Sequence, residues 1–146
     1  MNNKRYCNKN VLNTSTSVST EVITSAPINF LQNEVKSGCD IKHVEGTPVI
    51  TIKTPGIYLI NFTAIGYATG GTGVVTVNLQ NNGINVPSAE ATVDASAAAT
   101  QGTFTFSKVI KVRPSCCNVD NTANLTFINS GVPATFASAN VSVIKL

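Results

Sequence analysis

The sequence predicts an all-β fold, an antiparallel sandwich or barrel of eight or more short strands. Three observations carry this. Turn signals recur at close spacing: Ser37-Gly38, Gly46-Thr47-Pro48, Thr54-Pro55-Gly56, Asn82-Gly83, Arg113-Pro114-Ser115 and Ser130-Gly131-Val132-Pro133. The segments between them are β-branched, and several alternate apolar with polar residues, the period of a half-buried strand. No helical period competes, and no repeat of about 20–50 residues points to a solenoid or propeller.

Residues 1–20 are rich in Asn, Ser, Thr and Lys with scattered apolar positions, and read as an N-terminal arm. Residues 21–146 read as one domain. Short strands are expected near 22–31, 41–45 and 48–53, and Pro55-Gly56 opens a strand over 57–66. In it Tyr58, Ile60, Phe62 and Ala64 share one face, while Ile57, Leu59, Asn61 and Thr63 share the other. Both faces begin apolar. That predicts burial on two sides, by an opposing sheet and by another chain. Gly70-Gly71-Thr72-Gly73 reads as a loop, and its glycines open no helix that would cradle a phosphate.

Val75, Val77 and Leu79 then alternate with Thr76, Asn78 and Gln80. Asn82-Gly83 supplies the positive-φ pair of a type I′ hairpin, from which Ile84-Asn85-Val86 returns. The Ala-rich run Asp94–Thr100 is too short and uncapped for a helix and reads as a loop. A strand near 102–112 lines one face with Phe104, Phe106, Ile110 and Val112, Lys108 being the exception. The last strands are expected near 123–129 and 135–145.

Charged residues are only 12% of the chain, against about 25% in ordinary proteins. Asn, Thr, Ser, Ala and Gly replace them. Such a surface suits neutral contacts in a packed assembly, or an all-β protein with many Thr and Asn facing water. The net charge is +3, but Lys4, Arg5 and Lys9 account for it; the remainder carries seven bases and seven acids. No basic stripe exists, which argues against nucleic acid as a partner. No apolar h-region follows Lys4 and Arg5, so no Sec signal peptide is expected. No apolar run approaches the ~18 residues of a membrane span, so membrane insertion is not expected either.

The cysteines are Cys7, Cys39, Cys116 and Cys117, all candidates for disulfides. The adjacent pair would close on itself only through a strained ring. With one histidine, His43, and no Cys-x-x-Cys, structural zinc is disfavoured, and no metal or cofactor is expected. Free or interchain-bonded cysteines are the expected state. Cys7 in the arm is a candidate covalent lock to Cys116 or Cys117 of a neighbouring subunit.

No catalytic residue is expected. His43 has Asp40 and Glu45 near it in sequence but nothing to mark a Cys–His pair, and reads as a surface histidine on a short strand. Glu90 and Asp94 are the nearest thing to a carboxylate pair and read as solubilising a loop. Asn13, Asn61, Asn124 and Asn140 match the glycosylation acceptor pattern, and read as polar strand positions apart from Asn13 in the arm.

Pro55-Gly56-Ile57-Tyr58-Leu59-Ile60-Asn61-Phe62 resembles the Gly-x-Tyr strand signature of the complement C1q and tumour necrosis factor-like superfamily. Leu79-Gln80-Asn81-Asn82-Gly83 resembles the Asn-Gly turn that follows in that family. The resemblance implies an antiparallel two-sheet jelly-roll sandwich of about eight to ten strands that packs as a homotrimer. It puts Tyr58 and Ile60 in or near the trimer core, and with the strand apolar on both faces the expected trimer interface is Ile57, Tyr58, Leu59, Ile60 and Phe62. The family's aromatic-rich ending, collagen stalk and calcium-site aspartates are not matched. In texture the chain resembles short, Cys-containing, Asn/Thr-rich surface proteins of spore-forming bacteria and their phages. That likeness implies a non-enzymatic structural protein on a virion surface, among other virion proteins. The alternatives are a spore-surface or appendage subunit, and a receptor- or cell-surface-glycan-binding head using loops 67–73 and 94–101.

Overall fold

The computed structural model describes residues 9–95, 101–114 and 121–146. Among these, eleven strands form: β1 Val11–Thr16, β2 Thr20–Val22, β3 Gln32–Ser37, β4 Ile41–His43, β5 Ile50–Ile52 and β6 Gly56–Ala68 come first. β7 Gly73–Asn81, β8 Ile84–Ala95, β9 Gly102–Val112, β10 Ala123–Asn129 and β11 Ala134–Lys145 follow. One sheet runs β3-β1-β11-β6-β9, with β2 also pairing β11; the other runs β4-β5-β10-β7-β8. All pairings are antiparallel, and neighbours in each sheet are mostly distant in sequence. The fold is an all-β jelly-roll sandwich. Among the described residues no helix is long and apolar enough to cross a membrane.

Period-two alternation fills the space between the sheets. Tyr58, Ile60, Phe62 and Ala64 of β6 and Val141 and Val143 of β11 meet Val75, Val77 and Leu79 of β7 and Phe127 of β10 in one buried cluster. Phe62 stacks on Phe127 at 4.9 Å, and Phe106 lies within 5.2 Å of Phe62. Asn82 and Gly83 have φ of 53° and 80°, the pair of positive values that a type I′ turn requires.

The N-terminal segment departs from the expected arm. Residues 11–16 form β1, which lies between β11 and β3 with Leu12 and Thr14 fully buried. The alternation Val11, Leu12, Asn13, Thr14 is enough to satisfy both neighbours; its polar composition conceals that. The strand expected over 22–31 is also replaced. Thr20–Val22 pairs with β11, the chain turns at Ser25, with φ 68°, and beyond it the pairing is reduced to single bridges from Pro27 to Ile128 and from Phe30 to Thr47. Pro27 cannot donate a ladder hydrogen bond, so Ile28 and Phe30 enter the core from an irregular segment. Asp94 and Ala95 end β8 rather than opening a loop, and residues 96–100 lie outside the described residues.

Candidate functional site

The outward face of the β3-β1-β11-β6-β9 sheet is laid out in cross-strand rows. Val11, Ile144, Leu59 and Val109 pair in register across β1, β11, β6 and β9 and make an aliphatic row. The next row is Asn13, Ser142, Asn61 and Ser107, and the next Ser15, Asn140, Thr63 and Thr105. None of these residues is charged. Ile57, Ile65 and Val109 are 46%, 40% and 52% exposed, which leaves apolar surface unpartnered in a single chain.

Much of the polar surface is already satisfied along the sheet. Asn13 Nδ2 donates to Ser142 Oγ at 2.8 Å and to Asn140 Oδ1 at 3.0 Å, and Ser107 Oγ donates to Asn61 Oδ1 at 2.5 Å. Groups paired this way lose less on removal from water than groups that depend on solvent. The Asn residues of three glycosylation-like triplets thus serve as rungs on one face. Asn124 serves on the other sheet, accepting from Thr51 Oγ1 at 3.1 Å.

Tyr58, Ile60 and Phe62 do not belong to this face. A single chain already buries all three completely, and Tyr58 spends its hydroxyl on the Thr54 carbonyl at 2.8 Å. Their expected place at a contact between chains is corrected to the interior of the sandwich, because the even-numbered face of β6 meets the opposing sheet. Ile57 and Leu59 point outward. Val11, Val109 and Ile144 were missed because cross-strand neighbours are invisible along one strand. The trace in the sequence is Val109, an apolar residue in phase with Thr103, Thr105 and Ser107.

His43 is buried, not at the surface. Its Nδ1 lies 2.5 Å from Asn33 Oδ1 and its Nε2 lies 2.8 Å from the Thr47 carbonyl. Asn33 Nδ2 donates to the His43 carbonyl at 2.9 Å, and the Phe30 ring meets the imidazole edge-on. The ring therefore pins β3 and β4 to the turn before β5. Cys39 is disulfide-bonded and offers no thiolate to this histidine. Cys7, Cys116 and Cys117 lie outside the described residues. Glu90 and Asp94 are exposed on β8, opposite Asn78 and Val74. Among the described residues no group of three His, Cys, Asp or Glu could hold a metal ion.

Asp40 organises the base of the sandwich. Lys145 Nζ lies 2.7 Å from Asp40 Oδ2, Asn10 Nδ2 donates to the same oxygen at 3.0 Å, and Thr54 Oγ1 donates to Oδ1 at 2.9 Å. The hydrogen bond from Lys145, helped by Thr54, holds the Asp40 carboxyl below its ordinary range against the opposing effect of burial. The same bond raises Lys145. Burial raises the Tyr58 hydroxyl beside them.

No family model matches the sequence, and no curated protein does. Solved structures do match. The globular domain of zebrafish complement 1qA protein aligns with TM-score 0.64 and 11% identity over 94% of this chain and 98% of that one. Eiger TNF from S. frugiperda aligns with TM-score 0.65 and 10% identity over 94% of each chain. PRD1 vertex protein P5 aligns with TM-score 0.54 and 16% identity over 94% of this chain and 97% of that one. At such identities the likeness speaks for architecture alone: the chain has the jelly-roll fold of the complement C1q and tumour necrosis factor-like proteins.

Proposed function

We propose that the chain is a non-enzymatic structural surface protein, a homotrimeric jelly roll that decorates a phage virion. The observation that carries this reading is the outward face of the β3-β1-β11-β6-β9 sheet, whose central cross-strand rows are uncharged. Covering its aliphatic row gains up to about 1.5–3 kcal/mol for each side chain moved fully out of water. The row of Asn13, Ser142, Asn61 and Ser107 already holds its own hydrogen bonds, which lowers the cost of covering it. A second and third copy are natural occupants because the face is apolar at one end and polar in the middle, with its charges, Lys111, Glu34 and Glu21, on the edge strands. The likeness to a vertex protein supports a place on a particle surface.

Sedimentation equilibrium on the purified protein tests the assembly, and a monomer at micromolar concentration would sink it. Mass spectrometry of purified virions and of purified spores from the source culture tests the location. Recovery from spores alone would favour the appendage reading.

A further inference from the structure

We propose that the cleft between the β7–β8 hairpin and the end of β9 binds a peptide C-terminus whose last side chain is apolar. The sequence creates the cleft by a local mismatch. Asn78 pairs with Glu90 and Gln80 with Asn85, so residues 86–89 stand opposite Leu79 alone. Pro87 removes a ladder donor there and Ser88 adopts φ 60°, which pushes the strand away from its partner. A hollow of about 390 Å³ results, walled by Ile84, Val86 and Ile110, with Ile84 73% exposed.

A second hollow of about 200 Å³ meets the first at Asn81 and Asn82 and is lined by Lys111 and Arg113. Among the described residues neither cation has a carboxylate partner, and the one ion pair joins Lys145 to Asp40. The two adjoining hollows ask for one ligand. Arg113 and Lys111 attract an oxyanion, with Arg113 able to hold both carboxylate oxygens. The adjoining apolar hollow takes an aliphatic side chain. A terminal carboxylate and its own side chain lie within a few bonds of one another in the last residue of a peptide. Capture of a C-terminal carboxylate beside a side-chain pocket is a physically economical way to recognise a chain end. This site lies at the hairpin end of the fold, and the proposal does not depend on the trimer.

The test uses the full chain and an acetylated tetrapeptide ending in leucine, titrated by NMR chemical-shift perturbation. The free acid is expected to shift resonances of Asn81, Ile84 and Arg113, and the C-terminal amide to bind about tenfold more weakly or worse, as loss of a charge-assisted contact implies. Arg113→Gln and Ile84→Asn, both surface changes, are each expected to weaken the acid about tenfold while leaving the far-ultraviolet spectrum unchanged. Equal binding of acid and amide, no binding of the acid, or full binding by Arg113→Gln overturns the proposal. Glucuronate binding more tightly than the peptide would assign the cations to an acidic sugar and overturn it as well.

Discussion

Lys145 Nζ donates to Asp40 Oδ2 at 2.7 Å, joining the last residue of β11 to the turn between β3 and β4. The same carboxylate receives Asn10 and Thr54, so the start of the described chain, two turns and the final strand close on one charge. The lysine also lies 5.9 Å from the centre of the Tyr58 ring. Because Asp40 is mostly shielded from water and fully paired, removing it leaves three donors without an acceptor.

Asp40→Ala is therefore expected to cost about 1–3 kcal/mol at neutral pH in urea unfolding. The pH dependence follows from two opposite shifts. Asp40 is lowered from 3.8, so its contribution is present above that value and is lost as pH falls through the lower folded value. Lys145 is raised from 10.5, so its contribution is present below that value and is lost as pH rises through the higher folded value. The gap between wild type and variant should be widest between these limits and narrow outside them. A gap that ignores pH would mean that the clasp is not electrostatic.

Gly83→Val is expected to lose roughly 1–2 kcal/mol, the cost of holding an L residue in the left-handed region. Nothing lies within 4 Å of a Cβ added there, so the loss is of backbone origin and Gly83→Asn should recover most of it. Equal melting temperatures for wild type and Gly83→Val would remove the type I′ assignment.

Gly131→Ala tests a different use of glycine. A Cβ there would overlap the Val74 carbonyl oxygen and lie 2.8 Å from Thr76 N, both backbone atoms that cannot swing aside. The expected loss is about 3 kcal/mol or more. Soluble expression with an unchanged denaturation midpoint would refute this close approach.

Two neighbours on β6 should separate folding from assembly. Phe62→Ala empties space against Phe106 and Phe127 and is expected to cost about 3–5 kcal/mol in any assembly state. Leu59→Glu places a charge on the outward aliphatic row, and should yield a folded monomer by sedimentation. If Leu59→Glu assembles like wild type, that row is not the contact.

Much of the architecture was legible in the chain because strand alternation and turn chemistry are local. Gly102–Val112, Ala123–Asn129 and the Asn82-Gly83 hairpin follow from residues a few positions apart. The N-terminal strand was not, since Val11–Thr16 is held by β11 and β3 rather than by its own propensity. Nor could one strand reveal which of its two apolar faces meets the opposing sheet. Only pairing with Ile110 and Val143 sends Tyr58 and Ile60 inward and leaves Leu59 beside Val109 and Ile144. Alternation says that two faces differ; long-range register, fixed by burial of one of them, decides which is inside. The same holds for His43, whose partners Asn33 and Thr47 gather around it only when β3, β4 and the following turn close together.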